Sequence, residues 1–171
     1  MELAVLNWIQ TLRTDWLDPV MTAVSSLCDH GEVWILLAVI LLAFKKTRRT
    51  GVVLAVALAL DLIAVNGVLK PLIGRVRPCT VNPSVPLLIP CPADGSFPSG
   101  HTASSFAAAG ALWATGSRLR VPALILAALI ALSRLYLYVH WPSDVLAGAI
   151  LGWTLGFAAR WTAEWLFSRQ K

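Results

Sequence analysis

From Gly51 to about Leu69 the chain is apolar, interrupted only by Asp61 and Asn66, and three more apolar runs follow at 101–117, about 121–138 and about 144–167. Each approaches the roughly 20 residues that an α-helix needs to cross a hydrocarbon core of about 30 Å. With 57% of its 171 residues hydrophobic and 13% charged, the chain has too little polar surface to cover itself in water. The expectation is an all-α, polytopic membrane protein, one domain over residues 1–171, with about six transmembrane helices.

The first fifty residues admit two readings. Trp16 to Cys28 and Val33 to Phe44 are each short for a span, so they are either two helices lengthened by polar flanks around the turn "DHGE" or a re-entrant hairpin. Before them, Leu3, Leu6, Ile9 and Leu12 recur at helical spacing, which suits an amphipathic interfacial helix over residues 2–13. Glu2 near the start, without a basic region or a small-residue cleavage site, speaks against a removed signal peptide.

A net charge of +5 does not point to nucleic acid, because several basic residues sit in short links between apolar runs. "KKTRR" (45–49), "RLR" (118–120) and the tail with Arg160, Arg169 and Lys171 fall on one side if the helices alternate, and that side is expected to be cytoplasmic. The protein is thus expected in the cell (inner) membrane with both termini cytoplasmic. The 70–100 loop and the 139–143 turn then face outside or the periplasm.

Lys70, Arg75, Arg77 and Arg134 sit at that outer face against the topology rule, and such charges ask for a chemical reason. "FPSGH" (97–101) supplies one half of it. Ser99 and Gly100 open an apolar helix, where free backbone N–H groups and the helix dipole favour an anion, and His101 stands beside that position. The other half is "SRLYLYVHWPSD" (133–144), with His140 and Asp144 spaced i, i+4 around a Pro-Ser helix start. A carboxylate there can orient His140 and leave its other ring nitrogen as nucleophile or base. Two histidines, one oriented by an aspartate, suit phosphoryl transfer, and Lys70, Arg77 and Arg134 can neutralise the transferring group. Taken singly, the plain readings are a capped helix start, a structural histidine and lysines or arginines reaching for lipid head groups. Their joint occurrence favours one phosphate site.

"KPLIGRVRP" fits K-x6-R-P, "PSGH" stands unchanged, and "SRLYLYVHWPSD" fits S-R-x5-H-x3-D. Together these motifs, spanning residues 70–144, resemble the signature of the type 2 phosphatidic acid phosphatase family of integral-membrane lipid phosphatases, with no departure at signature positions. The resemblance implies metal-independent hydrolysis without a cofactor, through a phosphohistidine. His140 would be the nucleophile, Asp144 its partner and His101 the acid, while Lys70, Arg77, Ser99, Gly100 and Arg134 hold the phosphate. Arg75 lies outside the signature and reads as a supporting or head-group contact.

The expected partners are the bilayer and a membrane lipid substrate. Undecaprenyl diphosphate is favoured because the chain is short and the loop compact, with phosphatidylglycerol phosphate, phosphatidate and lipid A phosphates as alternatives. Two rivals remain: a vanadate-dependent haloperoxidase, whose site is similar but whose known members are soluble, and a lipid carrier or flippase, in which the basic cluster binds a head group without chemistry and which has no use for a His140–Asp144 pair.

Cys28, Cys79 and Cys91 fall at the outer face; Cys79 and Cys91 flank the loop "CTVNPSVPLLIPCPADGSFP", which its five prolines should keep extended. Cys79 and Cys91 are expected to pair, closing a loop worth about 3 kcal/mol in the chain-entropy model. Asp61 is expected to make a helix-to-helix hydrogen bond, and Asp29, His30 and Glu32 to form a solvated turn without metal. An aromatic belt accounts for most of the eight Trp residues.

Overall fold

The computed structural model describes residues 1–168, and among them every regular element is a helix. Arg169 and Lys171, counted above toward the cytoplasmic side, lie outside the described residues. Helix α1 (Glu2–Gln10) is followed by α2 (Leu17–Ser26) and α3 (Glu32–Ala43). Helix α4 (Arg48–Asp61) passes without a break into a π-helical stretch (Leu62–Leu69) and then α5 (Lys70–Ile73), which stops at Gly74 with φ of 55°, a left-handed conformation that suits glycine. After short α6 (Pro78–Val81) and the proline-rich loop come α7 (Gly100–Ala114), α8 (Arg120–Tyr136) and α9 (Pro142–Ser168).

The centre of the bundle is α7 against α9. Helix α7 buries Ala103, Ala107, Ala108, Ala109 and Ala111 completely, and α9 meets it with glycine. A Cβ on Gly152 would stand 2.1 Å from the carbonyl oxygen of Ala103, so the two backbones touch where any side chain would part them. Around this seam Trp34 of α3, Leu54 of α4 and Ile130 of α8 close the core, and Trp34 donates its indole N–H to Ser105 at 3.0 Å.

Contacts at the two ends fix the direction of each helix. At one end Asp29 meets His101, and Arg77 meets His140. At the other, Arg49 bonds Glu164 and Arg160 donates to the Ala114 carbonyl. Among the described residues, five helical passes connect the ends: α3, α4 with its π-helical continuation, α7, α8 and α9.

Helix α2 does not make a sixth. It starts where Asp18 accepts from the Tyr136 hydroxyl and is followed at once by Asp29 beside His101, so both its ends stay near the site. Only ten residues long, it is too short to cross. Helix α1 lies at the site end too, with Leu6 buried against Tyr138 and Trp141 and with Glu2 bonded to Arg75 and Ser143. Glu2 and Glu164 occupy opposite ends of the bundle, whereas the sequence reading expected both termini on one side. An amphipathic pattern buries one face of α1 on protein here, where sequence alone suggested lipid. By length and apolarity, Arg48–Val81 is the one candidate span among the described residues, with Glu32–Ala43 apolar but shorter.

Candidate active site

A cavity of about 810 Å³ opens at the site end, lined by Lys70, Arg77, Gly100, His101, Arg134 and His140. Sequence motifs separated by as many as seventy residues meet because α5, the last turn of α8 and the first turn of α7 come to the same end of the bundle.

His140 lies in the turn between α8 and α9 and is 1% exposed. Its Nδ1 is 2.8 Å from the carbonyl oxygen of Ser96, which can only accept, so Nδ1 carries the proton and the lone pair is on Nε2. Nε2 is 3.2 Å from Nη1 of Arg77. Burial, with Arg77 and Arg134 adding to it and Asp144 opposing, pushes the His140 pKa down to about 3. At neutral pH the ring is thus an uncharged base with its lone pair beside the Arg77 guanidinium.

Asp144 is fully buried at the first turn of α9. Its Oδ2 is 3.6 Å from His140 Nδ1, longer than a hydrogen bond, and accepts instead from the Ser96 hydroxyl and, at 2.9 Å, from the Trp141 backbone N–H. The tautomer of His140 is accordingly set by the Ser96 carbonyl, while Asp144 holds Ser96 and supplies negative charge nearby. Arg75 reaches the same carboxylate, donating to Oδ1 at 2.6 Å and, through its other nitrogen, to Glu2 at 2.7 Å. It is a brace between α1 and the base of α9.

His101 donates from Nε2 to Asp29 at 3.1 Å, a pairing that gives the ring a counter-charge when protonated. Arg134 is 3% exposed; its Nη1 bonds Ser25, and its Nε is buried without a partner, an N–H left for an anion. Arg77, also 3% exposed, donates to the carbonyls of Val139, Asp94 and Gly95.

Lys70 and Arg77 share one further partner, the carboxylate of Asp94 from the proline-rich loop. Burial alone would raise the Asp94 pKa, but the ammonium and guanidinium outweigh it and hold it at about 2. A carboxylate bridging these two cations shows that the pair can hold an oxyanion between them.

Gly100 lines the cavity, and a Cβ built there would lie 3.8 Å from Lys70 Nζ and 3.7 Å from Asn66 Oδ1. Ser99 is placed differently. It is wholly buried, its N–H already donates to the Asp144 carbonyl at 3.1 Å, and its hydroxyl accepts from Thr102 at 3.0 Å, so it ties α7 to α9 behind the cradle. Cys79 and Cys91 are bonded to each other, with Cα atoms 6.1 Å apart, and Cys28 is a buried free thiol against Ser104 and Ser105.

Asp29, Asp94 and Ser96 are the site residues that sequence reasoning passed over. Asp29 was read as part of a solvated turn, and nothing in its spacing announces a partner 72 residues away. Asp94 and Ser96 lie in the same loop as the PSGH motif, and their nearness to it is the only signal the sequence carries.

A family model described as the PAP2 superfamily matches residues 50–168. The chain belongs to that superfamily and is an enzyme of its membrane lipid-phosphatase class. It is 38% identical over 127 residues to the undecaprenyl-diphosphatase of Sulfolobus acidocaldarius, covering 73% of this chain and 61% of that protein's length. With the decaprenylphosphoryl-5-phosphoribose phosphatase of Mycobacterium tuberculosis it shares 35% identity over 158 residues, 91% of this chain and 86% of the relative. The crystal structure of Aquifex aeolicus LpxE superposes with a TM-score of 0.81 at 31% identity, covering 92% of this chain and 93% of that one. That of a transmembrane PAP2-type phosphatidylglycerolphosphate phosphatase from Bacillus subtilis gives 0.77 at 28% identity, with 95% and 84% covered.

Proposed function

We propose that this chain removes the terminal phosphate of a polyprenyl lipid at the outer membrane face, converting undecaprenyl diphosphate to undecaprenyl phosphate, through a phosphohistidine on His140. The observation that carries the reading is the His140 ring, its Nδ1 proton held by the Ser96 carbonyl and its Nε2 lone pair 3.2 Å from the Arg77 guanidinium, in a cavity that Arg134 also lines.

In the first step Nε2 attacks phosphorus and the bond from phosphorus to the bridging oxygen breaks. His101 gives the ring proton not held by Asp29 to the leaving oxygen, and the lipid departs. In the second, water attacks the phosphoryl group on Nε2, His101 takes the water's proton, and inorganic phosphate leaves with His140 restored. Lys70, Arg77, Arg134 and the Gly100 backbone hold the phosphoryl oxygens throughout, with Ser99 fixing the helix start that presents Gly100. Metal-independence fits this set, because two histidines and three cations supply nucleophile, acid and charge neutralisation.

The outward orientation is supported by the basic links 45–49 and 118–120, which lie at the end opposite the site, and by the Cys79–Cys91 bond at the site end, which suits an oxidising compartment. Undecaprenyl diphosphate is supported by the 38% identity with the Sulfolobus enzyme. A second reading, a polyprenyl-linked sugar phosphate as in the mycobacterial relative's name, is favoured by the polar groups lining the cavity below Lys70.

The test is phosphate release from purified protein in detergent with EDTA, over undecaprenyl diphosphate, phosphatidylglycerol phosphate, phosphatidate and lipid A phosphates. Turnover greatest on the first is expected and should vanish in His140→Ala. Lipid transport that persists in His140→Ala without phosphate release would replace the enzyme with a carrier.

A further inference from the structure

Asp61 lies two helical turns below Lys70, is 4% exposed, lines the cavity, and has an oxygen, Oδ1, buried without a hydrogen-bond partner. The helix-to-helix hydrogen bond expected of it is absent. Its neighbours on the cavity wall, Leu58, Ala59 and Leu62, offer nothing polar.

The backbone explains how the carboxyl comes to face the cavity. Nine residues separate Asp61 from Lys70, and at 3.6 residues per turn they would make two and a half turns of α-helix, leaving the two side chains on opposite faces. The π-helical stretch Leu62–Leu69 intervenes. Its i→i+5 bonding winds about 4.4 residues into each turn, so the same nine residues make two turns and Asp61, Asn66 and Lys70 come onto one face. All three line the same cavity.

We infer that Asp61 and Asn66 form a hydroxyl-binding step beneath the phosphate cradle, which takes a sugar or other polyol placed between the cleaved phosphate and the lipid anchor. The chemistry of the step selects this occupant. An apolar chain at that depth leaves the carboxyl oxygen unpartnered. A hydroxyl is a neutral donor and satisfies it. One turn above, the Asn66 amide offers both a donor and an acceptor, and across the cavity the hydroxyls of Thr22 and Ser26 on α2, whose protons go to backbone carbonyls, keep lone pairs free to accept.

This inference rests on His140 being the phosphatase centre, and the experiment separates the two. Phosphate release is measured for wild type, Asp61→Ala, Asp61→Asn and Asn66→Ala on decaprenylphosphoryl 5-phosphoribose and on undecaprenyl diphosphate, with KM and kcat resolved. The expected result is that wild type hydrolyses both lipids. Asp61→Ala and Asn66→Ala should raise KM for the phosphoribosyl lipid at least tenfold more than for the diphosphate, with kcat little changed. Asp61→Asn, which keeps an acceptor and the side-chain shape, should stay close to wild type on both lipids, and Asn66→Ala alone carries the comparison if Asp61→Ala does not fold. Equal losses on both lipids, or no change on either, overturn the step and leave the phosphatase reading standing, as does a wild type active only on the diphosphate. A wild type inactive on both lipids removes the two together.

Discussion

Asp94 is the side chain whose removal should be most visible in substrate affinity. Its carboxylate, held at about 2, is ionised across the whole working range, so substrate phosphate must displace it from Lys70 and Arg77 at any pH the enzyme meets. Asp94→Ala should therefore lower KM severalfold, with kcat changed little, in steady-state phosphate release. A raised KM would make Asp94 part of the substrate cradle instead. The His140 pKa is depressed as well, over a higher range of pH. An unfolded chain binds a proton on this ring near pH 6.5, whereas the folded one does so only at about 3, so stability falls progressively as pH drops from 6.5 toward 3. The nucleophile itself stays neutral over that interval. Asp144 opposes the depression, so Asp144→Asn should move the acidic limb of the pH–rate profile further down and lower the maximal rate. Because the Ser96 carbonyl already fixes the tautomer, the loss should fall well short of the about 10⁴-fold seen when a carboxylate alone sets it. An unmoved limb would sever Asp144 from His140.

Among the elements, the seam between α7 and α9 carries the site, since α7 presents Gly100 and His101 while the first turn of α9 carries Asp144. Gly152 permits the backbone contact with Ala103, and Gly152→Ala should force the helices apart at a cost of about 1–3 kcal/mol, read as a fall in Tm in detergent and a matching loss of activity. Unchanged Tm would mean that the seam is looser than its geometry. At this scale the sequence was legible where periodicity and apolarity speak for themselves. The runs at 51–69, 101–117, 121–138 and 144–167 correspond to α4 with its π-helical continuation, α7, α8 and α9. It was silent on α2, because whether ten residues cross or stay at one end is decided by distant partners, Tyr136 and His101. The π-helical winding is equally hidden: an α-helical reading places Asp61 and Lys70 on opposite faces.

For the whole molecule, the three motifs of residues 70–144 pointed to side chains that line one cavity, because each motif fixes the spacing between its own groups. What spacing does not encode is the carboxylates and carbonyls that arrive from elsewhere: Asp29, Asp94, the Ser96 backbone and Glu2. They give the site its charge balance and close it from the sides, and they come from segments whose own patterns read as turns and loop. The account as a whole turns on one covalent bond, from phosphorus to Nε2 of His140. It is tested most directly by mixing the protein with undecaprenyl diphosphate carrying a labelled terminal phosphate, quenching in base within the first turnover, and mapping the label by peptide mass spectrometry. The prediction is label on His140 in wild type, and none in His140→Ala. Label on any other residue, or turnover in His140→Ala at the wild-type rate, would contradict it.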